Sequence, residues 1–289
     1  MPAGVPFAGH LLITDRGNGR LVEISANGEL TWSFPAAGDA AAKALGPWDD
    51  AYYSPDDTTI TANSATTSTV IAIDIRTATV RWRAGIPGRR GRGPDLFNGP
   101  DDAVIGLDGT VWFADTLNCR VVHLSGSGAF VGALGTGICS HRPPSTFHSP
   151  NGAFPTADGG LVVTEINGSW IDWLAPDGTL RAAVQAPVVY PSDAVPYPDG
   201  SVLLADYVTP GQVIRIAPDG TLLWRFDANG TLHNPSSATP LAANRVAISD
   251  DFGDRILIVD PTTNEIVREY TVVGGIHLRV TDAVHYRPD

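Results

Sequence analysis

A short motif, Pro-x-Asp-Ala, recurs along the whole chain at a nearly constant spacing. Counting near matches, its last two residues are Asp50-Ala51, Asp102-Ala103, Gly152-Ala153, Asp193-Ala194, Ser237-Ala238 and Asp282-Ala283. Successive copies lie 52, 50, 41, 44 and 45 residues apart. Repeats of this length are typical of the four-stranded blades of β-propellers. Six copies therefore predict an all-β, six-bladed β-propeller with four antiparallel strands in each blade.

The sequence between the copies supports four strands per blade. Asp-Gly pairs such as Asp108-Gly109 and Asp158-Gly159 favour tight hairpin turns, because glycine accepts positive φ without steric cost. An apolar strand follows each turn region and ends in an acid or amide, at Asp15, Asn63, Asp115, Glu165, Asp206 and Asp250. Alternating segments such as "RVVHLS" and "LLWRF" complete the blades. No segment predicts a second domain, so residues 1–289 are expected to form one propeller.

The two ends of the chain complement each other. The chain begins on a second strand, "HLLITD", and ends on a first strand, "TDAVHYRPD". We therefore predict that residues 282–289 join residues 9–34 in blade 1, which closes the ring and removes open sheet edges. The remaining blades are predicted at 48–84, 100–134, 150–186, 191–226 and 235–270.

Charge and composition limit the possible partners. The 289 residues carry a net charge of −12, whereas nucleic-acid binding needs clustered Lys and Arg. We expect a small-molecule ligand and no nucleic acid. No apolar run approaches the length of a membrane span, so none is expected.

The N-terminal residues show neither a basic start nor an apolar signal-peptide region. Two locations stay open: secreted or periplasmic as a mature protein, or cytoplasmic. We expect a monomer. Cys119 and Cys139 lack the paired spacing of a zinc motif, and the sequence leaves open whether they form a disulfide.

Residues 91–135, "GRGPDLFNGPDDAVIGLDGTVWFADTLNCRVVHLSGSGAFVGALG", resemble an NHL repeat. The chain is also similar to gluconolactonase-like, peptidylglycine-lyase-like and quinoprotein-like bacterial propellers. The gluconolactonase resemblance implies a central divalent cation held by oxygen ligands where the inner strands begin. The matching positions are Asp49, Asp101, Asn151, Ser192, Ser236 and Thr281. The lyase resemblance implies zinc held by histidines; the matching residues are His148 and His233, with His277 one residue out of register.

The motif itself also predicts a ring of acids around the channel. Asp50, Asp102, Asp193 and Asp282 would converge there, and carboxylates in a low dielectric need a proton, water or a cation to stay together. Oxygen ligands favour calcium or magnesium, and histidine shifts the preference towards zinc. The predicted ion is a divalent cation, Ca²⁺ with Zn²⁺ as the alternative. Its predicted ligands are Asp49, Asp101, Asn151, Asp193 and Asp282.

A structural role competes with the ligand role for each aspartate. An aspartate before a strand can accept backbone N–H groups and fix the turn. This role is predicted more firmly for the acids that end the second strands, Asp15, Asp115, Asp206 and Asp250.

The loops that enter the inner strands open on one face, where propellers bind small ligands. We predict His148 and His233 as catalytic bases or metal ligands. The predicted substrate-binding residues are Asp50, Asp102, Asn98, His141, His277 and Arg89. These residues indicate a metal-dependent enzyme, either a lactone or ester hydrolase or a lyase. The alternative is a non-catalytic binding or scaffold propeller with a structural cation.

Overall fold

The alternating segments form antiparallel strands that assemble into six four-stranded sheets in the computed structural model, which describes residues 5–289. Blade 1 contains β1 (His10–Asp15), β2 (Arg20–Ser25) and β3 (Leu30–Phe34), and the last strand of the chain completes it. Blade 2 contains β4 (Ala51–Tyr53), β5 (Thr59–Ser64), β6 (Thr69–Asp74) and β7 (Thr79–Ala84). Blade 3 contains β8 (Pro100–Ile105), β9 (Val111–Asp115), β10 (Arg120–Leu124) and β11 (Phe130–Leu134).

The second half of the chain repeats this arrangement. Blade 4 contains β12 (Pro150–Pro155), β13 (Leu161–Glu165), β14 (Trp170–Leu174) and β15 (Leu180–Gln185). Blade 5 contains β16 (Pro191–Pro196), β17 (Val202–Asp206), β18 (Gln212–Ile216) and β19 (Leu222–Phe226). Blade 6 contains β20 (Pro235–Leu241), β21 (Arg245–Asp250), β22 (Arg255–Asp260) and β23 (Glu265–Tyr270). The hairpin β24 (Val272–Val273) and β25 (Ile276–His277) precedes β26 (Thr281–Arg287).

Little regular structure lies outside the strands. A single helical turn, α1 (Ala40–Lys43), links blades 1 and 2. Short 3₁₀ turns occur at Arg16–Asn18, Thr116–Asn118, Ala228–Gly230 and Asp251–Gly253. Within residues 5–289, the helices are all too short to cross a membrane.

The chain termini close the ring as predicted. Strand β26 pairs antiparallel with β1, with Leu12 opposite His285 and Ile13 opposite Val284. The innermost strands β26, β4, β8, β12, β16 and β20 contact one another in succession around the central channel. The six-bladed propeller predicted from the repeats is therefore confirmed.

The blades are held together by apolar faces and by indole hydrogen bonds. Phe97 and Phe113 pack edge to face with ring centroids 4.9 Å apart in the core beside blade 3. Trp32 on β3 donates to the Ile75 carbonyl of blade 2 at 2.9 Å, and Trp82 on β7 donates to the Gly126 carbonyl of blade 3 at 2.9 Å. These two outer-strand tryptophans therefore join blade 1 to blade 2 and blade 2 to blade 3.

A β-bulge interrupts the pairing near the start of five inner strands. In blade 4, Pro150 pairs with Glu165 and Gly152 with Thr164, so Asn151 has no partner across the strand. Equivalent shifts occur in blades 1, 3, 5 and 6. In a regular strand successive side chains point to opposite faces. The bulge instead allows neighbouring positions to face the channel together.

The strand pairing corrects two positions of the sequence alignment. Thr281 pairs with Asp15 and Ala283 with Thr14, so Asp282 is the structural equivalent of Asn151 rather than of Asp102. The alignment on the Asp-Ala motif therefore places Asp282 one position out, because the β-bulge changes the strand pairing without a visible insertion or deletion in the sequence.

The second correction concerns blade 2. Ser64 pairs with Thr69 as Asp115 pairs with Arg120, so Ser64, and not Asn63, ends the second strand. Asn63 is turned towards the acids of the inner strands instead.

The acids that end the second strands cap the loops, which is the structural role predicted for them. The fully buried Asp115 accepts hydrogen bonds from the Asn98 backbone N–H at 2.6 Å, from Asn118 Nδ2 at 2.8 Å and from Arg120 Nε at 2.8 Å. Asp15, Asp206 and Asp250 accept backbone and side-chain donors in the same way. Each acid thereby fixes the loop that leads into the inner strand of its own blade.

The structure also joins Cys119 and Cys139 by a disulfide, with their Cα atoms 5.2 Å apart. Cys119 directly precedes β10, and Cys139 lies in the loop that enters blade 4. The pairing left open by the sequence thus fixes the loop between blades 3 and 4 to the start of β10.

We expect Asp115→Ala to lower the free energy of unfolding by about 3–5 kcal/mol, because it leaves the buried Arg120 guanidinium without its carboxylate. Equilibrium denaturation measures this change. Asp95→Ala, at an exposed position of the same loop, is the matched control and should change stability by less than about 0.5 kcal/mol. Equal losses in both variants would contradict the capping role.

Candidate functional site

A pocket of about 240 Å³ lies where the inner strands begin, at one mouth of the channel. Its walls combine the bulged positions of five blades with the corresponding acids of blade 2. Six aspartates line it: Asp49, Asp50, Asp101, Asp102, Asp193 and Asp282. Asn151, Ser192, Ser236, Ala65, Arg16, Tyr190 and Tyr207 complete the lining. The structure therefore brings together all five predicted metal ligands and two of the predicted substrate-binding residues, Asp50 and Asp102.

Three of the aspartates are close enough to share one ion. Asp50, Asp101 and Asp102 each offer a carboxylate oxygen within 4.8 Å of the other two. Asn63 Nδ2 donates to Asp50 at 3.2 Å and to Asp101 at 3.3 Å, which holds both carboxylates in place.

Asp102 combines backbone strain with an unsatisfied oxygen. Its φ of 50° lies in the left-handed region, which non-glycine residues rarely adopt. One of its oxygens accepts the Tyr52 hydroxyl, and the other, Oδ2, is buried without a hydrogen-bond partner. A strained backbone that directs a bare carboxylate oxygen into an oxygen-lined pocket fits a bound cation.

Burial raises the pKa of these acids. Desolvation, followed by the charges of neighbouring carboxylates, raises the pKa of Asp101 and Asp102 well above the usual value. The same causes act on the pKa of Asp193 and Asp282. Desolvation also raises the pKa of Asp49 to about 6, with Arg16 opposing it. Without a cation, several of these carboxyl groups are therefore stabilised in their protonated form.

One guanidinium faces the acids. Arg16 donates to Asp49 Oδ1 and to Asp282 Oδ2, both at 2.9 Å, and bridges blades 2 and 1 across the pocket. Arg16 directly follows Asp15, the acid that ends the second strand. The residues in this position of blades 5 and 6 are Tyr207 and Asp251, and the Tyr207 hydroxyl donates to Asp251 at 2.8 Å. Residues at this position were not predicted to line the pocket, because six different residue types occupy it in the six blades.

A buried histidine, His285 on β26, lies near the pocket acid Asp193 but outside the pocket lining. The His285 ring packs on Tyr52 with centroids 3.8 Å apart, and its Nε2 lies 3.9 Å from Asp193 Oδ2. Burial lowers the pKa of His285 to about 3, so its imidazole is neutral at physiological pH.

The predicted catalytic histidines lie outside the pocket lining. The His148 and His233 backbone N–H groups donate to Glu165 and Asp250, as the Asn98 backbone donates to Asp115. Their matched spacing in the repeat thus reflects a shared backbone contact with the strand-end acid. Because only the backbone is needed there, the side-chain identity is free to vary.

The other predicted substrate residues also lie outside the lining, as far as residues 5–289 show. His277 on β25 and Arg89 in the loop before blade 3 are exposed. His141 contacts Glu165 in blade 4.

Comparison with known proteins gives fold relatives only. No protein-family model matches the sequence, and no curated protein matches it. A protein of unknown function from Bacteroides caccae has a TM-score of 0.67 and 16% identity, over 96% of this chain and 98% of that one. A propeller in the nidogen–laminin complex has a TM-score of 0.70 and 14% identity, over 93% of this chain and 96% of that one.

Virginiamycin B lyase from Staphylococcus aureus is a further structural neighbour, with a TM-score of 0.57 and 19% identity over 78% of this chain and 70% of that one. A catalytically inactive histidine-to-alanine variant of that lyase has been solved with quinupristin. Fold and site together define this protein as a six-bladed β-propeller with an acidic pocket at one mouth of its channel.

We expect Asp101→Asn to raise the melting temperature of chelator-treated protein at pH 8. An acid whose folded pKa is raised loses stability as pH rises from its unfolded pKa, near 3.8, towards the folded value. The amide mimics the protonated acid, so the gain should shrink at pH 5, where Asp101 and its neighbours Asp50, Asp102 and Asp49 carry more protons. Asp219→Asn, at an exposed turn, is the control. If Asp101→Asn melted at a lower temperature than the unmodified protein at pH 8, repulsion among the pocket carboxylates would not be what destabilises the metal-free protein.

Proposed function

We propose that this protein is a metal-dependent enzyme that acts on a small molecule in the channel-mouth pocket, either as a lyase or as a hydrolase of esters or lactones. The observation that carries the proposal is the convergence of six aspartates on one 240 Å³ pocket whose lining includes only one guanidinium, Arg16, among residues 5–289. Such an excess of buried carboxylates favours a bound divalent cation.

Asp50, Asp101 and Asp102 are the proposed ligands, because their oxygens lie closest together and Asp102 Oδ2 has no other partner. Asp193 and Asn151 are the next oxygen donors in the lining. An all-oxygen set favours Ca²⁺, and the absence of histidine from the described lining argues against Zn²⁺ at this site. When bound, the cation would polarise a substrate oxygen.

The rest of the pocket supplies groups that would bind and orient a substrate. Desolvation raises the pKa of Tyr190 and Tyr207, so both hydroxyls stay protonated and are hydrogen-bond donors. The Arg16 guanidinium is about one-third exposed and would contact a carboxylate or carbonyl oxygen. Phe252, 58% exposed and with its ring centroid 6.3 Å from that of Tyr207, adds an apolar surface beside the pocket.

The neighbour that is a lyase makes β-elimination one candidate reaction, although that likeness concerns the fold alone. Such a reaction in this pocket would need an acid and a base other than histidine, since no histidine lines the described pocket. We therefore assign proton abstraction to a pocket carboxylate and proton donation to Tyr207. A metal-stabilised scaffold with no turnover is the second candidate, and it is favoured by the position of His148 and His233 outside the pocket.

The cation assignment predicts that the chelator-treated protein binds Ca²⁺ with a stoichiometry of one at this site. Asp101→Asn and Asp50→Asn should each weaken binding by at least tenfold, because each removes a charged ligand. Isothermal titration with Ca²⁺ measures the affinity. Asp219→Asn should bind like the unmodified protein. Unchanged affinity in both pocket variants would exclude these ligands.

The enzyme assignment predicts turnover of an aryl ester or of quinupristin that is lost on chelation and restored by Ca²⁺. Tyr207→Phe should lower kcat by at least tenfold with little change in Ca²⁺ affinity, because it removes a proton donor and leaves the carboxylates intact. Calcium binding without turnover of either compound class would instead support the non-catalytic scaffold.

A further inference from the structure

Blade 4 departs from its neighbours at the acid that ends the second strand. In blades 1, 3 and 6 that acid is paired with an arginine at the start of the third strand, and in blade 5 with a glutamine. The pairs are Asp15–Arg20 at 2.6 Å, Asp115–Arg120 at 2.8 Å, Asp250–Arg255 at 2.7 Å and Asp206–Gln212 at 3.0 Å. In blade 4 the equivalent pair is Glu165 and Trp170. The fully buried Glu165 therefore has no cationic partner from its own blade.

A histidine from the preceding loop occupies that place. His141 Nδ1 lies 3.0 Å from Glu165 Oε1, while Glu165 Oε2 accepts the His148 backbone N–H. The imidazole stacks on the Trp170 indole with centroids 3.9 Å apart and planes 6° from parallel. Trp170 thus replaces the arginine with a flat surface that fixes the orientation of the imidazole.

A second buried acid faces the same histidine. Asp172 on β14 occupies a position that is apolar in the other four blades with a strand-end acid: Val22, Val122, Ile214 and Leu257. Its side chain is fully buried, neither of its oxygens has a hydrogen-bond partner, and Oδ2 lies 4.0 Å from His141 Nδ1. An unpartnered carboxylate inside a blade is costly unless something else satisfies it.

The three groups have the spacing of metal ligands. One atom from each of His141, Glu165 and Asp172 lies within 4.8 Å of the other two. Ligands of a tetrahedral zinc ion at about 2.1 Å would be about 3.4 Å apart, which falls between the 3.0 Å and 4.0 Å separations of His141 Nδ1 from the two acids. Small side-chain rotations would therefore bring them into coordination.

We propose that His141, Glu165 and Asp172 form a second metal site, which takes a divalent transition metal, Zn²⁺ by its nitrogen and carboxylate donors. None of the three residues lines the channel-mouth pocket, so this site stands independently of the proposed function. The His141 side chain is 21% exposed and marks the side from which an ion and a water ligand enter.

Zinc titration against a chromophoric chelator tests the site, with metal-stripped wild type, His141→Ala, Asp172→Asn and Asp101→Asn compared. We expect the wild type and Asp101→Asn to bind one Zn²⁺ with equal affinity at this site, and His141→Ala and Asp172→Asn to bind it at least 100-fold more weakly. Zn²⁺ should also raise the melting temperature of the first two proteins and leave the other two unchanged. In the first two proteins, Co²⁺ should give visible ligand-field absorption bands.

The variants are chosen to stay folded, because His141 is partly exposed and Asp172→Asn preserves shape. The main alternative is a carboxyl group of Asp172 that shares a proton with Glu165. In that case Asp172→Asn would be as stable as the wild type without metal, and Zn²⁺ would not stabilise any of the four proteins. That result, or zinc affinities equal within twofold in all four, would overturn the proposal.

Discussion

The site depends on the β-bulge at the start of the inner strands. A strand without a bulge turns every second side chain away from the channel, so each blade would offer fewer polar groups to the pocket. The bulged register exposes Asn151 and Asp282 to the channel in blades 4 and 1. The capping acids fix the loop before each bulge through backbone N–H groups. The backbone geometry of the bulges and loops thus determines which side chains line the pocket.

The repeat made the fold predictable, since its period, its turn pairs and its complementary ends each indicate the same closed ring. It also located the acids of the pocket, because they belong to the motif that defines the period. At His148 and His233 the equal spacing reflects a shared backbone contact with the strand-end acid, and both residues lie outside the pocket lining. The repeat could not reveal Arg16 as a pocket residue, because the approach of Arg16 to Asp49 depends on how blades 1 and 2 are juxtaposed.

Electrostatics sets the pocket apart from an ordinary propeller mouth. Six aspartates and one arginine line it, and desolvation raises the pKa of Asp101, Asp102 and Asp193. Such a cluster opposes folding unless protons or a cation neutralise it. The surrounding blades supply the compensating stability through apolar packing and indole bonds. Residues that lower stability in a well-packed scaffold are typical of binding and catalytic sites.

In a repeat protein, equivalent positions of the blades can be compared with one another, because every blade has the same four-stranded structure. In blades 1, 3, 5 and 6 the strand-end acid has an Arg or Gln partner from its own blade, whereas blade 4 has none, and this difference needs a cause beyond the fold. An arginine in place of Trp170 and an aliphatic residue in place of Asp172 would restore the pattern of blades 1, 3 and 6. Instead the chain keeps a buried carboxylate without a partner beside His141. The two residues of blade 4 thus replace types that recur in the other blades with a set suited to binding an ion.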